Sequence, residues 1–495
     1  MYETDVLHGR LVRAYGTVVW FRHGRNARVR QTQGVDGSGR PHPAAVRGLD
    51  GPDCSVVFGF ASVGAGLSTS PAMLISFRAI QGLAAATLMP SALALIRHIY
   101  PDERERRSSI AIWSMGVAAG TGLGPVISGA LLNNFWWGSI FLINVPVIVI
   151  MLITLPTVVP ECRLPKEQIA RFDLLSAVLS LASVLATIWG VKEAAINGLS
   201  RCPAAGIVIG LLLGAVFVVR QKRMNDPMID PRLFRHRGFS PVIGLTFVAF
   251  LCTIGFGLYS TQYLLIVLNM KPLTAGLWML VTPVAAGVLA PVAATVVNKV
   301  RPAYVIAGGF LVTAVGFVAM TQLTTDRNLP LVIGGIAAIG AGSSAILVIM
   351  TDLVVTVAPA ERTGSVAALQ KTFQEFGGAV GIAIFGSIGA AVFTHKLDDA
   401  LPPKLSAALP SPVHETVGAA TEAAPHLQPA QAAQLLDAAR EAFTSSLNTS
   451  ALVGAGVAAL AALSSVFSLR HISYSAQPAD SAGDTSRGAP VAGSL

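Results

Sequence analysis

Long apolar runs alternate with short polar segments along most of the chain. Runs at 137–159, 203–219, 303–320, 331–350 and 451–468 are among the clearest. A helix of ~20 apolar residues crosses the hydrocarbon core of a bilayer. Other runs contain Gly, Pro and Ser, which membrane helices tolerate because neighbouring helices re-satisfy the freed backbone groups. The pattern predicts about twelve spans, roughly at 55–70, 72–96, 108–132, 137–159, 172–193, 203–220, 239–268, 272–298, 303–323, 329–356, 365–394 and 447–469. The expected fold class is therefore an all-α integral membrane protein.

The segments between these runs support the count. One alternate set carries Arg97, Arg104, Arg106 and Arg107, then Arg163, Lys166 and Arg171, then a cluster from Arg220 to Arg237, and finally Lys299, Arg301 and Arg362. The opposite set is much poorer in Lys and Arg, although it holds the longest loop. Basic loops stay in the cytoplasm, which predicts a multi-pass protein of the plasma membrane with both termini inside. Composition agrees: 53% of residues are hydrophobic and 12% are charged, against about 25% charged in a soluble domain. The net charge of +9 is accounted for by loops near anionic lipid and does not call for nucleic acid. Cys54, Cys162, Cys202 and Cys252 lack the spacing of a metal site, and no metal or cofactor is expected.

The order of segments gives a provisional organisation. Residues 1–54 form a basic segment with eight arginines and no lysine before residue 51. Its one short apolar stretch, at 14–21, is too small for the core of a signal peptide. A first helix bundle at 55–159 is followed by two helices within 160–220, a basic loop at 221–238 and a second bundle at 239–394. A loop at 395–446, expected outside, leads to the last helix at 447–470 and a polar tail at 471–495. Within that loop Leu435, Leu436, Ala439, Phe443 and Leu447 keep helical spacing. This predicts either an amphipathic stretch or a longer last helix.

Several segments point to a family. IWSMGVAAGTGLGPVISGALL, 112–132, places Gly116, Gly120, Gly124 and Gly129 along one helix, interrupted by Pro125. Small residues allow close helix contact, and proline removes one backbone hydrogen bond and bends the helix. Gly120, Gly124, Pro125 and Gly129 also resemble the antiporter motif of major facilitator exporters, with Ser128 where a glycine is usual. LISFRAIQGLAAA, 74–86, looks like the fourth-helix motif of that superfamily through Arg78, Gln81 and Gly82. FWWGSIFLINVPV at 135–147, RFDLLSAVLS at 171–180 and DPMIDPRLFRHRGF at 226–239 follow in order. QYLLIVLNMKPLTAGLWML at 262–280, TDLVVTVAPAERTGSVAAL at 351–369 and EFGGAVGIAIFGSI at 375–388 complete the series. Together they resemble the fourteen-helix drug:proton antiporters, relatives of the QacA and EmrB multidrug exporters, over roughly 55–470.

That resemblance implies proton-coupled efflux of lipophilic, cationic drugs by alternating access. The implied partners are small-molecule drugs, protons and membrane lipid, and the expected form is a monomer. The energy source is the proton gradient, and no enzyme activity is implied. A proton antiporter needs a carboxyl group that alternates between charged and neutral. Asp352 lies within an apolar stretch, where an ionisable side chain is a functional candidate by default. Glu375 precedes a small-residue face, but Lys371 stands at i,i+4 and offers an ion pair instead. Asp173 and Glu193 lie nearer span ends. Arg78 is costly within an apolar helix, by about 2.5–3.5 kcal/mol at mid-bilayer. It either influences the proton-binding carboxylate or snorkels to the interface. Gln262, Tyr259, Tyr263 and Trp113 are candidates to line the substrate path, with packing as the competing role. Ala285, Ala286 and Gly287 stand where QacA-type exporters carry a tenth-helix acid, so their divalent-cation binding is not transferred.

Family members begin with two further helices, and the first carries an Asp. Neither those helices nor the Gly- and Arg-rich motif after them is recognisable here, which leaves twelve helices of an expected fourteen. The Arg-, Gly- and Pro-rich start suggests a frameshift or a misplaced start codon. The alternatives to multidrug export are therefore a narrow-substrate major facilitator exporter or permease, and a non-transporting remnant. A membrane enzyme has no His cluster, nucleophile elbow or phosphate loop to support it.

Overall fold

The computed structural model describes residues 51–100, 102–158, 173–197, 200–224, 238–325, 328–357, 363–406 and 408–470, and every regular element among them is helical. Expectations for residues 1–50, for most of the loop at 221–238 and for the tail at 471–495 lie outside the described residues. Among the described residues, nine helices are long and apolar enough to cross a membrane. Shorter apolar helices cover Cys54–Gly66, Ser139–Thr154 and Leu175–Val191. Each of the twelve predicted runs falls on one of these helices.

The chain forms two compact units. The first, the described residues within 1–114 and 135–172, contains α1 (Gly51–Gly66), α2 (Pro71–Ile99), the start of α3 (Glu103–Asn134), α4 (Ser139–Leu142) and α5 (Asn144–Val158). Helix α2 starts where sequence and geometry agree. Ser70 is extended, its hydroxyl accepts the Met73 N–H at 3.2 Å, and Pro71 occupies the first turn. This satisfies one of the unpaired donors that every helix start leaves. Helix α1 packs against α2, α4 and α5, and its contact face is made of small residues, with Cys54, Ala61 and Ala65 buried.

The second unit, the described residues within 115–134 and 173–495, takes the rest of α3. It continues with α6 (Leu174–Asn197), α7 (Arg201–Arg223), α8 (Phe239–Gln262), α9 (Pro272–Met279) and α10 (Val281–Val296). Next come α11 (Pro302–Met320), α12 (Leu329–Val357), α13 (Thr363–Ala400) and the short α14 (Pro403–Ser406). The last elements are α15 (Ser411–Glu415), α16 (Val417–Ala423) and α17 (Pro429–Leu469). Helix α8 runs into a single π-helical turn at Tyr263–Val267. The chain then turns at Asn269, whose φ of 52° is one that Asn tolerates better than most residues.

Where α8, α11, α12 and α13 converge, Phe256, Phe310, Phe317, Phe385 and Ile346 are fully buried. The Phe256 and Phe317 rings meet edge-on at 5.0 Å between centroids, a favoured aromatic geometry. Lipid is as apolar as these side chains, so close packing rather than water exclusion holds such helices together. On the outside, Leu211, Val288, Val315 and Leu460 are 62–68% exposed, as expected of a surface facing lipid. The stretch at 395–446 is mostly helical: α13 continues to Ala400, and α17 is unbroken from Pro429. The spacing that predicted an amphipathic stretch buries Leu435, Ala439, Phe443 and Leu447 on one face.

Candidate functional site

The motif helix α3 stays helical through Pro125. Of its glycines, Gly116, Gly120 and Gly124 have open space beside them, whereas Gly129 is packed against the start of α9. A Cβ on Gly129 would lie 2.4 Å from the Pro272 carbonyl oxygen. The contact is reciprocal, because a Cβ on Gly276 would lie 2.4 Å from the Pro125 carbonyl oxygen. The antiporter-like motif and α9 thus approach backbone to backbone through two glycines. Gly276 was not singled out from sequence, although its PLTAGL context has the same small-residue character.

In the other unit, Arg78 and Gln81 of α2 are joined. Arg78 Nη1 donates to Gln81 Oε1 at 2.7 Å, Gln81 Nε2 donates to Ser62 Oγ at 2.7 Å, and Ser62 Oγ donates to the Phe58 carbonyl at 2.9 Å. Gln81 and Ser62 are buried, while Arg78 is exposed and lies 5.6 Å from the Phe141 ring centre. The guanidinium is therefore steadied by a neutral amide and an aromatic face. Among the described residues no carboxylate is at ion-pair distance from it. Gly82 is exposed, with open space beside it.

The carboxylates occupy different surroundings. Glu375 lies 2.7 Å from Lys371, and its side chain is 72% exposed. Asp352 lies exposed on α12 beside Thr351, whose hydroxyl donates to the Leu347 carbonyl and accepts the Gln370 amide at 3.3 Å. Asp173, just before α6, is held in a clasp across to α7. The Ser176 hydroxyl donates to it, and Arg220 Nη2 donates to Asp173 Oδ1 at 2.9 Å. Gln221 Nε2 donates to Ser176 Oγ at 2.8 Å and completes the network. The Ser176 hydrogen bond, then Arg220, holds the Asp173 carboxyl down at about 2. It remains ionised at any cellular pH and is unsuited to cycling a proton. Sequence reasoning had placed Arg220 in a basic loop and missed this pairing.

The aromatic candidates divide likewise. Tyr263 is fully buried, and its hydroxyl donates to the Thr324 carbonyl at 2.6 Å. Tyr259 donates to the Phe385 carbonyl at 2.8 Å and stacks on Phe443 at 5.8 Å. With Gln262, Tyr259 borders a cavity between α8, α13 and α17. Trp113 belongs to the first unit and is half-buried.

Residues 54–382 match the family described as the Major Facilitator Superfamily. The chain belongs to that superfamily. As a major facilitator protein it is a membrane transporter rather than an enzyme. It is 36% identical to the multidrug efflux pump LfrA of Mycolicibacterium smegmatis over 399 residues, covering 80% of this chain and 78% of the relative. Against the methyl viologen resistance protein SmvA of Salmonella typhimurium, identity is 32%, covering 78% of each chain. Against the tetracenomycin C resistance and export protein of Streptomyces glaucescens it is 30%, covering 83% of this chain and 78% of the relative. The crystal structure of a bacterial homologue of the human lysosomal transporter Spinster superposes with a TM-score of 0.51 at 17% identity, covering 85% of this chain and 83% of that one. That likeness shows the major facilitator fold.

Proposed function

We propose that this major facilitator protein exports amphipathic drugs, lipophilic cations foremost, across the plasma membrane in exchange for protons. The kinship carries the reading. Relatives named for multidrug efflux, methyl viologen resistance and tetracenomycin C export align at 30–36% identity over 78–83% of the chain. Methyl viologen is an organic dication, which favours cationic cargo. The packing of Gly129 and Gly276 at the antiporter-like motif is in keeping with an exporter. Basic loops inside and the 395–446 segment outside set the orientation, with both termini cytoplasmic.

Exchange requires one carboxyl group to bind either the proton or the cation in turn. Asp352 is the stronger candidate, because it lies within an apolar span, where an ionisable side chain points to function, whereas Asp173 is held in its charged form by the clasp. Arg78, steadied by Gln81, supplies a positive charge within its own helix bundle. The test is drug-dependent proton release from everted membrane vesicles containing the full chain. Release driven by several unrelated lipophilic cations supports the proposal, and no release by any of them refutes it. A narrow-substrate exporter is the second reading, favoured by the relative named for tetracenomycin C alone. It predicts release by one compound only.

A further inference from the structure

The turn between α10 and α11 meets the last turn of α17 at one end of the second unit. Arg301 Nη1 donates to the main-chain carbonyl of Arg470 at 3.5 Å, and the Ser465 hydroxyl lies 3.5 Å from the Ala303 carbonyl oxygen. Lys299 shares this turn, which is tight: the Lys299 and Val300 N–H groups both bond to the Val296 carbonyl at 2.9 Å. Lys299, Arg301 and Arg470 are all exposed. The end of α17 favours cations, but its dipole amounts to roughly half an elementary charge, too little to balance three of them.

Carboxylates are scarce on these helices. From Val281 to Thr325 and from Ala442 to Arg470 the chain has no Asp or Glu. Helix α12, which packs against α10 and α11, brings Asp352 alone. The patch is therefore cationic within its own helices. Beside it the surface turns apolar. Tyr304, at the start of α11, is 51% exposed, and Leu463 and Phe467, in the last turns of α17, are 58% and 66% exposed. Gly308, a further turn along α11, has open space beside it.

We propose that this patch binds an anionic phospholipid, its phosphate held by Lys299, Arg301 and Arg470 and its acyl chains lying along Tyr304, Leu463 and Phe467. A guanidinium pairs its N–H groups with phosphate oxygens, and a lysine adds a point charge. Tyrosine suits the head-group level of a bilayer. A soluble polyanion would leave the apolar side of the patch unused, whereas a phospholipid uses both sides. The inference takes from the proposed function only the orientation, which puts the lipid in the cytoplasmic leaflet. Binding here needs neither a drug nor a proton gradient.

The test is thermal melting of the purified full chain in a non-ionic detergent, with phosphatidylglycerol or phosphatidylcholine of the same acyl chains added. Phosphatidylglycerol is expected to raise the melting temperature, and phosphatidylcholine to leave it unchanged. Lys299→Gln, which spares the contact between Arg301 and α17, is expected to raise the half-stabilising lipid concentration about five-fold. Adding Arg470→Gln is expected to raise it further. Lys222→Gln with Arg223→Gln, exposed cations at the end of α7, should leave it unchanged. Equal stabilisation by the two lipids, an unchanged concentration in Lys299→Gln/Arg470→Gln, or an equal loss in the α7 control overturns the proposal. Inorganic phosphate that stabilises the chain as well as the lipid does at equal concentration also overturns it, since the site would then serve a free anion. A chain with the lipid preference that pumps no drug keeps this site and loses the efflux reading. Pumping without the preference does the reverse.

Discussion

Arg78 donates to the side-chain oxygen of Gln81 at 2.7 Å, one helical turn further along α2. Gln81 is itself buried and spends its amide hydrogens on Ser62 of α1. It therefore fixes an exposed cation to a neighbouring helix without cancelling its charge. The arrangement makes the charge of Arg78 separable from its position.

Gln81→Leu removes the bridge and leaves a buried Ser62 hydroxyl without its amide partner. A loss of about 1–3 kcal/mol of stability is expected, visible as a lower melting temperature in detergent. Gln81→Glu keeps the shape but introduces a carboxylate beside Arg78. If the positive charge is what transport requires, this variant folds and reaches the membrane yet loses drug efflux. Efflux at the original rate would reduce Arg78 to a packing role.

Gly129 and Gly276 predict a sharp contrast with Gly120. A side chain at either of the first two meets backbone at 2.4 Å, whereas Gly120 faces open space. Gly129→Val and Gly276→Val are expected to cost at least the roughly 1–3 kcal/mol of an overpacked core and to abolish efflux. Gly120→Ala is expected to leave stability unchanged or slightly improved, since Ala is the better helix former. Thermal melting of the three purified variants, beside dye efflux in cells, separates the two classes. Equal tolerance at all three positions would refute the close approach of α3 and α9.

What could be read from sequence was set by distance along the chain. The spans were legible because a continuous apolar run has one solution in lipid, a helix that satisfies its own backbone. Lys371 and Glu375 were legible because i,i+4 residues share a helix face. Arg78 and Gln81 emerged as a motif, but Ser62 stands 19 residues before Gln81 on another helix, and no periodicity announces it. The same holds for Asp173 and Arg220, 47 residues apart. An aromatic ring near a span end looks alike in sequence whether or not it reaches across the fold, as Tyr263 does to the Thr324 carbonyl 61 residues away. Gly276 was hidden because small residues reveal a contact only when the partner helix is known.

The Asp173 clasp yields a pH prediction whose sign follows from its cause. The carboxyl falls from an ordinary value of 3.8 to about 2 in the folded chain. A lowered carboxylate stabilises the fold above its unfolded pKa, and that contribution is lost as pH falls through the folded value. Between pH 5 and 8 the clasp is thus constant. Asp173→Asn is expected to lower the melting temperature by the same amount at pH 5.5 and pH 7.5 and to loosen α6 from α7. A penalty that changes between those two pH values would show that Asp173 titrates in the working range, and it would then return as a proton-carrying candidate.

Asp352 and Glu375 make opposite predictions for coupling. Glu375 has its charge balanced by Lys371 at 2.7 Å and is largely exposed, so Glu375→Gln removes only a surface helix pair, of about 0.2–0.5 kcal/mol in isolated helices. Drug-dependent proton release should persist in that variant. Asp352 sits on an apolar span beside the Thr351–Gln370 contact, where an ionisable group is retained at a cost that function must justify. Asp352→Asn should abolish proton release in everted vesicles. Drug binding to the purified variant should survive or weaken modestly, because Asp352→Asn keeps the side chain's size and removes only its charge. The reverse pattern, release lost in Glu375→Gln and kept in Asp352→Asn, would move the proton-carrying role to α13. It would also make the Lys371 pair a switch that opens during the cycle rather than a fixed surface contact. Loss in both variants would mean that the two carboxylates share the proton, and the double variant would then be no worse than either single one.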